Sequence, residues 1–428
     1  MRSKKLTALL MTTALCATAL FGCGDSSNDP TTKGGNTGDA TTPDPANEEK
    51  ITATIKVAAP SEDQQDANNW LKTQCEKFNE EHPNWDLTFE YLVIGEDQAG
   101  GTISQDPAAA PDVYMYASDQ IKTLVDANAI MPIVGDLAQY VKDTNSEQIV
   151  KNVTYNGNLY GVPYTANCWY MYYDKSVYSE DDVKNLNTML EKGKVALPIS
   201  TAWYTECFFL AAGCTVGDDD NPGINFSGDA GVKAANYMID LGANPNFTDA
   251  SGVSGLGDQF DAMFSGSWDL ANAREALGDN LGIASKPQIT FEDGTTGQLS
   301  GFASAKAIGI NPNCQNQQVA VALAKFLSGE EAQKARYDAR GVIPCNTALL
   351  EDEAIKNDEA FIAQNEAYNQ DMIQPAYLGD TGYWDEAANF GKAVLPGAED
   401  AVTHDNVAEK VETFNKTLAD KYAQSLGN

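Results

Sequence analysis

Residues 156–178, NGNLYGVPYTANCWYMYYDKSVY, decide how this chain is read. From Tyr164 to Tyr178 six of fifteen side chains are aromatic, against 9% for the whole chain, so this segment carries a specific load. As a strand it places Asn167, Trp169, Met171 and Tyr173 on one face and Cys168, Tyr170 and Tyr172 on the other. Rings on both faces belong to a strand buried on both sides, as in an α/β layer covered by helices. Tyr170, Tyr172 and Tyr173 are therefore expected in the core.

The segments around it fit the same class. ITATIKVAA (51–59) has the β-branched run of a buried strand, and the region after it predicts a helix with Leu71, Cys75 and Phe78 on one face, stopped by Pro83. WDLTFEYLVIG alternates Trp85, Leu87, Phe89 and Tyr91, so strand, helix and strand form a βαβ unit with parallel pairing. PDVYMYASDQIKTLVDANAIMPI repeats that logic, with a strand ending near Tyr116 and Ser118 as N-cap of a helix. AKAIGINPN reads as a strand and NQQVAVALAKFL as a helix. SGEEAQKARYDARG reads as a second helix, with Ser328 and Glu331 at capping-box spacing and Gly341 as its stop. From about Glu351 onward the chain reads as helical throughout.

The 428 residues suffice for two domains, and the net charge of −33 argues against binding nucleic acid or anionic lipid. Residues 1–22 have the basic start and short apolar run of an export signal, ending in Leu20–Cys23, LFGC, which resembles a bacterial lipobox. That resemblance implies cleavage before Cys23 and lipidation of its thiol. Residues 23–50 are Gly, Ser, Thr, Asn, Asp and Pro with almost no apolar side chain, so a disordered tether is expected. Six further cysteines follow. Buried inert thiols are the default for them, and Cys314 with Cys345 is the one pairing entertained.

Motifs for chemistry are scarce. The phosphate-binding loop GxxxxGK[ST] is absent, GVSGL misses the second glycine of a nucleophile elbow, and the chain has only two histidines, His82 and His404. Both are read as solvent-exposed, and zinc or histidine catalysis is not expected. DDDNPG (218–223) places Pro222 at a calcium-ligand position, so it reads as an acidic turn. Aromatics beside turns carry more information. Trp203 and Tyr204, Trp268, and Tyr383 and Trp384 each lie where a loop or strand passes into a helix. Rings so placed make stacking platforms for the apolar C–H face of a sugar, with Asp, Glu and Asn available to its hydroxyls, and in an acidic protein the same rings also suit a cage for a cationic ligand.

With these parts in this order, the chain resembles the extracellular solute-binding proteins of sugar ABC transporters, in the maltose/maltodextrin-binding branch. The resemblance covers roughly residues 51–428 and is most specific in NGNLYGVPY…YYDKSVY. It implies a two-lobed α/β, periplasmic-binding-protein-like fold of type II, with a ligand cleft between lobes joined by crossing strands. The implied lobes are 51–165 plus about 303–347, and about 166–302 plus 348–428. Position by position it implies Glu62 and Asp63 as a polar pair for sugar hydroxyls, Tyr116 and Asp119 after the next strand, and Asn167 where the branch has a Glu. Trp169 lies at the same crossing, Tyr204 with Trp203 matches a stacking ring, and Trp268 and Trp384 complete the platform. The implied function is to bind an oligosaccharide, foremost an α-glucan such as maltodextrin, and deliver it to ABC transporter permease subunits. The implied state is a lipid-anchored monomer on the outer face of a Gram-positive-type cell membrane, with no cofactor, no metal and no catalytic residue. The alternatives are another oligosaccharide class or a secreted carbohydrate-active enzyme.

Overall fold

The computed structural model describes residues 50–65 and 69–426. Cys23, the signal and the tether lie outside the described residues. In chain order the strands that position the site are β1 (Ile51–Ala59), β2 (Trp85–Val93), β3 (Val113–Ala117), β4 (Val162–Asn167), β5 (Tyr170–Asp174), β6 (Val195–Ala196), β7 (Phe247–Thr248), β8 (Ala262–Ser265), β9 (Leu281–Ala284), β10 (Phe302–Ile310) and β11 (Met372–Ile373). They form two sheets. The first runs β11–β10–β3–β1–β2, with β4 paired to β10, and the second runs β7–β6–β8–β5–β9. Each sheet is covered by helices, giving a two-lobed α/β fold.

The predicted βαβ unit is present. β1 and β2 pair in parallel from Ile51↔Trp85 to Ala59↔Val93, and the helix Trp70–Glu81 between them buries Leu71, Cys75 and Phe78. Asn69 caps that helix by accepting from the Lys72 amide at 3.0 Å. The 156–178 stretch splits as its period requires. β4 belongs to the first sheet and β5 to the second, so the chain crosses between sheets at Cys168 and Trp169. Trp169, Met171 and Tyr173 then pack into one core cluster, and Cys168, Tyr170 and Tyr172 into another.

Several local expectations are corrected. Ser118 does not cap a helix; it opens a 3-10 turn, and its buried hydroxyl accepts from the Ala305 amide at 3.1 Å. The helix Glu330–Arg340 starts after Gly329 with no side-chain cap, because the Ser328 hydroxyl donates back to the Lys325 carbonyl at 3.0 Å. Its end is as predicted: Gly341 takes φ 72°, a left-handed value that favours glycine. His82 is half-buried, its ring stacked 4.1 Å from Trp85, whereas His404 is exposed. Cys314 and Cys345 do not pair: they are free, buried, and belong to different core clusters. The chain after Glu351 is not helical throughout, being broken by β11 and by the segment 395–406. Among the described residues no helix is long and apolar enough to cross a membrane.

Candidate ligand cleft

Where β4 meets β10, residues from both lobes line a narrow cleft whose water-accessible space is about 20 Å³. Glu62 and Glu96 reach it from the loops after β1 and β2, and Thr165 and Asn167 from β4. Lys306 enters from β10, Arg336 and Arg340 from the helix Glu330–Arg340, and Trp268 from the turn after β8. Of the ten sequence-predicted site residues, Glu62, Asn167 and Trp268 line this one space. Glu62 is exposed and Trp268 half-buried. Asn167 is buried, and its amide donates to the Ser304 hydroxyl at 3.0 Å.

Others are placed differently. Asp63 is fully buried: Arg336 Nε donates to both carboxylate oxygens at 3.0 and 3.1 Å, Arg336 Nη2 to one at 2.8 Å, and Arg340 to the other. Such a carboxylate builds the wall and has no oxygen left over for a sugar hydroxyl. Tyr116 is also fully buried, and its hydroxyl donates to the Tyr160 carbonyl, so the ring belongs to the first lobe's core. Trp169 is likewise core. Its ring lies 5.2 Å from Tyr204 and 5.6 Å from Phe264, with Lys286 Nζ 4.4 Å from its centroid. Tyr204 is 8% exposed, while Trp203 and Trp384 are half-buried, Trp384 packing edge-on against Tyr383 at 5.1 Å. Asp119 is half-buried. One of its oxygens accepts from Gln120 at 2.6 Å and the other has no protein partner.

The cavity wall is ionic. Burial pushes the Glu96 carboxyl up, but Lys306, Arg336 and the Tyr164 hydroxyl, 2.7 Å away, outweigh it and hold it down at about 2. Burial opposes the Arg336 charge, and Asp63, Tyr164 and Glu96 restore it. Burial also pushes Asp119 up to about 6. Sequence reading passed over Glu96, Lys306, Arg336 and Arg340. A usable signal existed for one of them: Lys306 is the single charge in FASAKAIGI. Among the described residues no group of three His, Cys, Asp or Glu is placed to hold a metal ion. The acidic turn at 218–223 ties two distant segments together, since Asp219 accepts from the Ala376 and Tyr377 amides at 3.1 and 3.0 Å.

Comparison with known proteins agrees with this geometry. Residues 73–363 match the family described as bacterial extracellular solute-binding protein. A solved structure described as being with acarbose is 45% identical, covers 86% of this chain and 99% of its own, and superposes with a TM-score of 0.83. The maltodextrin-binding protein MalE1 from L. casei BL23 shares the fold at 24% identity, with 86% of this chain and 99% of its own covered and a TM-score of 0.76. A maltooligosaccharide ABC transporter solute-binding lipoprotein of Streptococcus pneumoniae is 24% identical over 73% of this chain and 78% of its own. The two-lobed architecture, the cavity at the crossing strands and the match over residues 73–363 establish that this chain belongs to the bacterial extracellular solute-binding protein family.

Proposed function

We propose that the protein captures an α-glucan oligosaccharide of the maltodextrin class outside the cell and hands it, unaltered, to a membrane ABC importer. The observation that carries this reading is the cavity itself: an indole, Trp268, beside carboxylates, an amide and cations, at the point where the chain crosses between lobes. A pyranose needs that combination, an aromatic face for its C–H surface and polar groups at its edge. The relatives named above support the sugar class, and the tether and lipid expected at Cys23 fit a protein held at the outer membrane face. The lobes are taken as 51–165 with 303–347, and 166–302 with 348–428.

In this reading Glu62, Asp119 and Asn167 meet hydroxyls, and Trp268, Trp384, Tyr204 and Trp203 form the stacking surface. Asp63, Tyr116 and Trp169 hold the walls. The water-accessible space of about 20 Å³ is far below the roughly 300 to 1,000 Å³ of small-ligand sites, so the cleft in this state is too small for a sugar ring. An oligosaccharide therefore enters with the lobes apart and is enclosed as they close. Calorimetry with maltose through maltohexaose, against xylo-, manno- and galacto-oligomers, tests the sugar class. Heat only with a non-glucan series rejects the substrate and keeps the fold. Chromatography after prolonged incubation tests the rest of the reading, because any shortened sugar rejects a pure binding role.

A further inference from the structure

One charge interrupts an otherwise buried strand. β10 reads FASAKAIGI, and every residue in it is buried except Lys306. An ammonium in such a strand is costly unless it opens onto a polar space. Lys306 does so: it lines the cavity, with its side chain 18% exposed. The pairing of β10 with β4 shifts register between Lys306 and Ala307, the kind of irregularity that re-aims a side chain.

The ammonium lies between the two lobes. Its Nζ is 3.4 Å from Glu96, on the loop after β2, and 5.6 Å from the centroid of Trp268, on the turn after β8. Glu96 has other partners besides it: the Tyr164 hydroxyl donates to that carboxylate at 2.7 Å and Arg336 lies 3.6 Å away. An ammonium has three N–H donors and no acceptor. With Glu96 as its ion-pair partner among the described residues, Asp119 within electrostatic reach and an aromatic face beside it, Lys306 keeps donors for an acceptor oxygen in the cavity.

We propose that Lys306 is a ligand-binding residue, donating from Nζ to a hydroxyl of the sugar ring held against Trp268. This rests on the oligosaccharide-binding reading. It adds a specificity: the subsite accepts an oxygen acceptor and repels a cationic amine at that ring.

The test uses the full chain, maltotriose and a set of monodeoxy maltotrioses, measured by calorimetry, with Lys306→Met and Lys306→Arg. Lys306→Met keeps length and removes the donors, and it leaves Glu96 its other partners. The expected result is binding of maltotriose about 10- to 100-fold weaker in Lys306→Met, the range for one hydrogen bond from a charged donor. One monodeoxy sugar should be discriminated by the wild type and not by Lys306→Met, and Lys306→Arg should recover part of the affinity. A folded Lys306→Met, with its melting temperature near wild type, that binds maltotriose as tightly as wild type overturns the proposal. If Lys306→Met does not fold, the wild type with the deoxy set decides, and no deoxy sugar weaker by more than about 3-fold overturns it. Wild type that binds no oligosaccharide overturns the functional reading and this inference with it, whereas intact binding with no Lys306 effect overturns the inference alone.

Discussion

Two buried ionic clusters lie beside the crossing strands, and they are built to opposite ends. The first surrounds the cavity: Asp63 and Glu96 face Lys306, Arg336 and Arg340, with exposed Glu62 at the rim. The second is sealed. Lys286 and Asp371 pair at 2.7 Å with neither side chain exposed, Asp371 accepts from the Gly301 amide at 2.6 Å, and Lys286 lies over the Trp169 ring. Trp169 stands between β4 and β5, Gly301 just before β10 and Asp371 just before β11, so three segments distant in sequence meet there.

The clusters differ in how they settle their charge. Glu206 in the sealed cluster is fully buried, and burial pushes its carboxyl well above the usual range. The Tyr383 hydroxyl sits 2.9 Å from the Ala202 carbonyl and 3.1 Å from Glu206 Oε2. The hydroxyl is placed to donate to either acceptor, and its hydrogen bond to Glu206 offsets only part of the burial effect. The cavity cluster instead holds the Glu96 carboxyl low with cations and retains donors facing a space. A sealed cluster fixes a pivot; an open one offers groups to a ligand.

Breaking each cluster tests that distinction. Arg336→Ala leaves buried Asp63 with Arg340 alone and is expected to cost about 3 to 5 kcal/mol in urea unfolding. Gly301→Ala comes next, at about 1 to 3 kcal/mol, because an added Cβ falls 2.6 Å from Trp169 Nε1 and 3.2 Å from Glu206 Oε1. Trp268→Ala should leave folding nearly intact and weaken sugar binding by about 1 to 3 kcal/mol by calorimetry. If Gly301→Ala weakens sugar binding more than Trp268→Ala does, the sealed cluster is not merely a pivot.

Two smaller effects sharpen the comparison through pH. Glu206 has a raised folded pKa, so its contribution to stability is complete below its unfolded value of 4.5 and declines as pH rises above it. Glu206→Gln should sit within about 1 kcal/mol of wild type at low pH and remove that decline, as read from melting temperatures across pH. A Glu206→Gln protein as unstable as Arg336→Ala would mean that Glu206 is ionised. Asp119, pushed up to about 6, has an oxygen without a protein partner. A sugar hydroxyl donating to it favours the ionised form, so binding near about pH 6 should release a fraction of a proton, and none at about pH 8. Calorimetry in two buffers of different ionisation heat reads this directly.

The sequence by itself determined what depends on neighbours along the chain. The alternation in residues 168–173 sorted six side chains into two cores, because a strand turns successive residues to opposite faces whatever lies beyond them. The parallel β1–β2 pair and the Gly341 stop followed from patterns only a few residues long. Tertiary structure decided what each polar group and ring would meet. The Ser118 hydroxyl is claimed by an amide 187 residues away, and Asp63 by an arginine 273 residues away, so neither does what its local motif suggests. Tyr116 and Trp169 share the residue type of stacking platforms, yet both rings are buried in the cores of their lobes. Lys306 shows the converse: a charge that local pattern marks as an anomaly becomes legible once the fold places a cavity beside it. Backbone periodicity is set by local geometry, whereas a side chain's partner is set by which distant segment packs against it.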